Sequence, residues 1–150
     1  MAFSYGYATQ SAVAGPVTAL GAQDFGGGGQ DVGFAYIDSG ASTQIVGFFF
    51  APGCDVFEAL IGGTVSLAHF PIGGGVMHLD GMVCTVDGFT TTSATTGDGL
   101  SWEYVTTDYV WDGVGLEFEP DASSMAILTS PADDATIFSA ARFDCPFLAP

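Results

Sequence analysis

The stretch LSWEYVTTDYVWDGVGLEFE, residues 100–119, reads as two extended runs joined at Asp112-Gly113. Trp102 and Tyr104 alternate with Ser101 and Glu103, the period of a strand with one face turned inward. An Asp-Gly pair supports a tight hairpin turn because glycine accepts a positive φ. The same pattern recurs along the chain. Phe3, Tyr5 and Tyr7 alternate with Ser4 and Gly6, and Val32, Phe34 and Tyr36 precede a turn at Asp38-Ser39-Gly40. QIVGFFF (44–50) reads as a strand buried on both faces, and Val65, Leu67 and His69 form a run ended by Pro71 and Gly73–Gly75. MHLDGMVCTV (77–86), SMAILTS (124–130) and ATIFSAARF (135–143) complete the set.

Turn chemistry falls between these runs, at GGGG (26–29), APG (51–53), the Asp-Gly pairs at 80, 87 and 112, GDG (97–99) and SPADD (130–134). Short strands with this punctuation predict an all-β chain, an antiparallel sandwich or barrel of jelly-roll type. One segment departs from the alternation. In DVFEALI (55–61), Val56, Phe57, Leu60 and Ile61 have helical spacing, with Asp55 and Glu58 placed as a capping box and Gly62-Gly63 as a stop. At most one short helix is therefore expected, near 55–61. No repeat or linker divides the chain, and its 150 residues suit one domain, 1–150.

Charge narrows the partners. Arg142 is the only Lys or Arg, against 17 carboxylates, for a formal net charge of −16. Neutralising phosphates takes several basic contacts, so nucleic acid is excluded as a partner, and anionic membrane by the same argument. Charged residues make up only 12% of the chain, about half the usual share. The exterior is thus polar but mostly uncharged, unlike an acid-saturated halophilic surface. The N-terminal stretch has no basic region followed by an apolar one, and IVGFFFAP (45–52) is far short of the ~20 residues a span needs. A soluble, unexported product is expected.

Cys54, Cys84 and Cys145 are three and far apart, which argues against a disulfide framework and favours buried thiols. His69 and His78 with a cysteine could form a zinc site only at unusual spacing. GGGG at 26–29 lacks the lysine and following helix of a phosphate loop. No cofactor is expected.

FAYIDSGAST, residues 34–43, resembles the Asp-Ser/Thr-Gly-Ala/Ser signature of aspartic proteases, including the small retroviral-type homodimers, with Tyr36 and Ile37 as the preceding apolar pair. The resemblance covers about ten residues and implies that Asp38 would be half of a carboxylate dyad sharing one proton. The family's flap and second apolar-apolar-Gly element would fall on ALIGG (59–63) and VMHLDG (76–81). The simpler account is an Asp-Ser-Gly turn between two strands.

Glu117, Glu119 and Asp121 alternate in LEFEPD, so they would project from one strand face and could hold a hard cation such as Ca²⁺, with help from Asp98 or Asp112. A solvated face accounts for the same residues. TTTSATTGDG (90–99) reads as a flexible loop, Asp133-Asp134 as a hairpin tip, and Trp102, Tyr104, Tyr109 and Trp111 as core or interface aromatics rather than a sugar platform.

Sheet edges are commonly guarded by lysine, proline or charge. Here lysine is absent, and QIVGFFF, SMAILTS and ATIFSAA would aggregate if left open. Covering those edges in an assembly resolves the conflict. The expectation is a structural protein of a virus or bacteriophage particle, a capsid decoration (cement) protein or related head or tail subunit. It would be made in the host cytoplasm and exposed on the virion. A homo-oligomer, preferably a trimer, would dock on the major capsid protein or another virion protein. The alternatives are a dimeric aspartic-type protease built on Asp38 and a carbohydrate- or Ca²⁺-dependent adhesion module.

Overall fold

A computed structural model describes residues 18–29, 31–39, 42–51 and 56–145. Among them are eleven strands and one short helix. The strands are β1 (Thr18–Asp24), β2 (Asp31–Ser39), β3 (Thr43–Phe50), β4 (Phe57–Glu58), β5 (Leu60–Ile61), β6 (His69–Gly74), β7 (His78–Cys84), β8 (Gly88–Thr96), β9 (Ser101–Asp112), β10 (Glu117–Thr129) and β11 (Phe143–Asp144); the helix is α1 (Asp134–Ser139). The expected all-β class holds, as one mixed sheet in the order β1-β2-β3-β6-β7-β8-β9-β10-β5. Its neighbours are antiparallel except β5, which runs parallel to β10.

The sheet curls back on itself. β4 pairs with the C-terminal half of β3, and β5, one residue further on, pairs with the start of β10. Ala59 N–H donates to the Phe48 carbonyl (2.9 Å) and Gly62 N–H to the Phe118 carbonyl (2.8 Å). Segment 57–62 thus links β3 to β10 and gives a barrel-like enclosure, which removes edges over that stretch.

This overturns the expected helix near 55–61. Seven residues are too few to hold a helix without help, whereas extended backbone here bonds to strands on both sides. Ala59, fully buried, fits where the segment passes between them.

The enclosure is filled by phenylalanine. Phe25, Phe34, Phe48, Phe89 and Phe118 are each at most 2% exposed. The Phe48 ring centre lies 5.0 Å from Phe34, 5.9 Å from Phe70, 4.7 Å from Phe89 and 4.8 Å from Phe118. QIVGFFF therefore supplies the central side chain, with Val46, Gly47 and Phe48 consecutively buried as a two-faced strand requires.

A second, smaller core lies on the opposite face of β7–β10. Ile137 and Ala140 pack with Ala94 and Trp102, flanked by Leu79, Tyr104 and Leu128. Ile137 belongs to α1, where ATIFSAARF was expected to be a strand. The helix has Asp134 in its first turn, a favourable place for a carboxylate. Asp133-Asp134 therefore begins a helix and is not a hairpin tip. Gly81 makes this docking feasible, because a Cβ there would collide with the backbone of Ala140 and Arg142.

Beyond the helix, β11 runs parallel to β7 with Phe143 beside Met82 and Asp144 beside Val83. That register brings Cys145 to Cys84, and the two form a disulfide with Cα atoms 4.6 Å apart. The expectation of buried free thiols is thus wrong for these two, because the strand pairing that unites them spans 61 residues. Cys54 lies outside the described residues.

The threonine run is also not a loop. It forms β8, pairing with β7 on one side and β9 on the other, as suits β-branched side chains on a pleated surface. The turn that follows is organised by Asp98. Its Oδ1 accepts from Leu100 N–H (2.8 Å), Ser101 N–H (2.9 Å) and Thr96 Oγ1–H (3.2 Å). Chiefly the Ser101 and Leu100 amides hold the Asp98 carboxyl below its ordinary value of 3.8. A lowered folded value means that this contribution is present at neutral pH and disappears as pH falls through the folded value, below the ordinary carboxylate range. A carboxyl-resolved NMR titration should give Asp98 a midpoint under 3.8; one at or above it would contradict the amide clasp.

Candidate functional site

Among the described residues the sheet has two open margins, the outer side of β1 and that of β10, and β10 is the longer strand. This strand pairs with β9 along its whole length, from Glu117 opposite Asp112 to Thr129 opposite Ser101. On its other side β5 covers only Glu117 and Phe118. Residues 119–127 are all exposed.

Both ends of the open stretch are closed off. At one end stand Pro120 and a register shift between Pro120 and Ala122, two features that interrupt edge pairing. At the other, Thr129 N–H donates to Asp133 Oδ2 (2.8 Å), and Asp133 N–H donates to the Thr129 carbonyl (2.8 Å). Between these guards runs ASSMAIL, residues 122–128, without an ionisable group.

Backbone groups alternate sides along a strand. Since both polar groups of Thr129 point outward to Asp133, those of Ser123, Met125 and Ile127 also face away from β9. Met125 (66% exposed) and Ile127 (61%) share one face, beside Val105 and Glu103 of β9. The opposite face, through Leu128, packs on the cluster beneath α1. The opposite face is thus buttressed only at Leu128, while Met125 and Ile127 stand bare on the other.

The other candidates fall elsewhere. Asp38 lies near the end of β2, where the pairing shifts between Tyr36 and Asp38 before Ser39 meets Gln44. Gly40 and Ala41 lie outside the described residues. The proposed flap segments are β5 with its following turn (59–63) and the entry into β7 (76–81). A shallow cleft of about 350 Å³ opens near this hairpin end, with Tyr36, Ser42, Thr43, Gln44 and Phe143 in its described lining. No carboxylate or imidazole is among them.

Glu117 and Glu119 do come together, but with Asp112, not Asp121. One carboxylate oxygen of each lies within 4.8 Å of the others. Asp112 joins because it is the cross-strand partner of Glu117, whereas the irregularity after Pro120 breaks the alternation before Asp121. Such a group suits a hard cation in its chemistry. Asp112 already accepts Val114 N–H (2.9 Å) within its own turn, and Glu119 is exposed.

Of the cysteines in the zinc set, Cys84 and Cys145 are bonded to each other, and Cys54 lies outside the described residues. His78 Nε2 lies 3.1 Å from Thr43 Oγ1, and His69 pairs with Glu58. That last pair escaped the sequence reading, which had used Glu58 as a helix cap. The Glu58 side chain is only 4% exposed, and its second oxygen has no partner among the described residues. The short hairpin between them sets the two residues opposite each other, with Leu60 bridging Leu67 and Ala68 N–H donating to the Ala59 carbonyl (2.8 Å). The aromatics form no platform: Trp111 sits in the main core with Tyr109 against it, and Trp102 and Tyr104 belong to the cluster under α1. No helix among the described residues is long and apolar enough to cross a membrane. The chain matches no protein-family model, no curated protein and no solved structure.

Proposed function

We propose that this chain is a structural subunit of a virus- or bacteriophage-like particle, a capsid decoration protein or a related head or tail component. The observation that carries this reading is the open, carboxylate-free stretch 122–128 of β10 on a chain of net charge −16. Like-charged copies repel, so their contact is best made through surface without carboxylates, and ASSMAIL offers that. The Cys84–Cys145 disulfide adds support, since such bonds persist outside the reducing cytoplasm. The subunit would act as a clamp, adding buried surface across joints in a shell while its acidic exterior discourages adhesion.

The test is co-expression with the genes that flank its own, followed by sedimentation of the shells that form. Co-migration at a fixed stoichiometry is the expected result. Shells that assemble while this protein stays at the top of the gradient would exclude the reading. Catalysis is tested separately. Asp38→Asn should leave the melting temperature and the oligomeric state unchanged, because Asp38 stands beside the register shift at the hairpin end of β2. Acid-pH proteolysis by the wild type that vanishes in this variant would instead establish the protease alternative.

A further inference from the structure

We infer that β10 pairs with β10 of a second copy, antiparallel about a two-fold axis through Met125; this rests on the reading of the chain as an assembling subunit. The outward backbone groups belong to Ser123, Met125 and Ile127, because Thr129 spends its own on Asp133. Centring the pair on Met125 sets Met125 opposite the partner's Met125, and Ser123 and Ile127 opposite the partner's Ile127 and Ser123. Every outward group then has a mate, two hydrogen bonds per pair and about six in all. Shifting the axis by one residue in one direction leaves Ile127 facing Asp121 beside the bulge. Shifting it in the other sets Ser123 against Thr129, which Asp133 already occupies. One register uses the whole opening.

Self-pairing also fits the charges. A strand entering this edge has to be extended, about seven residues long and free of carboxylates, and the chain's own residues 122–128 meet all three conditions. The nearest acid on the bare face is Glu103, across from Ile127. It is kept from the partner's Glu103 by three strand spacings, about 14 Å, beyond the ~8 Å screening length at physiological salt. Acids approach only at the two ends, where Asp121 of one copy comes opposite Thr129 of the other and so close to the Asp133 that holds it. A contact of a patch with itself closes at two subunits. The expected unit is therefore a dimer, not the trimer that shell geometry alone suggests.

Light scattering of the full chain at tens of micromolar should show a dimer that tightens with added salt, and Asp121→Asn should tighten it at low salt. Met125→Lys should weaken association at least tenfold by setting two ammonium groups face to face. That variant also lowers the net negative charge, so general charge repulsion predicts the opposite sign. Met125→Pro should do the same by removing the central outward N–H, which β9 does not use, leaving the circular dichroism spectrum unchanged. Amide exchange at Ser123, Met125 and Ile127 should slow as protein concentration rises. A wild type that stays monomeric in low and high salt would overturn the inference. So would a trimer, or any oligomer that survives both Met125 variants or leaves these three amides unprotected. A dimer that ignores shells would leave the pairing standing and remove the particle role, whereas a monomer that co-sediments with shells would do the reverse.

Discussion

Phe48→Ala is expected to lower the unfolding free energy by about 3–5 kcal/mol, the range for a fully buried aromatic cut back to a methyl. Phe48 is 0% exposed and its ring meets four other rings. Those neighbours come from β2, β6, β8 and β10, so no single element can shift to refill the space. Urea denaturation followed by circular dichroism would measure the loss through the midpoint at constant slope. Phe138→Ala is the control, since Phe138 is 63% exposed on α1 and its removal should cost little. A loss under about 1.5 kcal/mol for Phe48 would mean that the rings collapse inward and that the centre is loosely packed.

Breaking the Cys84–Cys145 bond should cost about 4 kcal/mol, from the entropy regained by the unfolded chain when a loop spanning 61 residues is released. The double variant Cys84→Ala, Cys145→Ala and the wild type in reductant should agree, because both remove the same link. Urea midpoints with and without reductant give the measurement. If reduction left the midpoint in place, β11 and the main-chain contacts of α1 with β7 would be sufficient by themselves to fix the end of the domain.

The parts of the fold legible in the sequence were those where one strand meets one core. QIVGFFF declared itself because Val46, Gly47 and Phe48 are buried in succession, and the Asp-Gly pairs at 87 and 112 do lie at the hairpin ends β7–β8 and β9–β10. Three failures share a physical cause, dependence on a partner distant in the chain. DVFEALI has helical spacing, yet strands β3 and β10 dictate its backbone. ATIFSAARF has strand-like composition, yet a helix lets Ile137 reach the small cluster under β8–β10. Cys84 and Cys145 became neighbours only through the register of β11 on β7. Among the acids, Glu117 and Glu119 were readable from one strand and Asp112 was named as a helper, which the cross-strand pairing explains, whereas Asp121 was lost to a bulge. Of the three runs read as aggregation-prone if exposed, only SMAILTS lies on an open strand margin, since QIVGFFF is the interior strand β3 and ATIFSAA lies largely in α1. That the long margin of β10 is open among the described residues, as that of β1 is, followed from the topology.

Trp102 lies in the cluster beneath α1 and Trp111 in the phenylalanine core, so each of the two apolar clusters carries one tryptophan. Trp111→Phe leaves emission that reports the helix-covered face alone, and Trp102→Phe leaves emission that reports the enclosed centre. Coincident denaturation curves would mark one cooperative unit. An earlier transition at Trp102 would mark α1 and its bed as a separable unit that opens first while the rings stay closed.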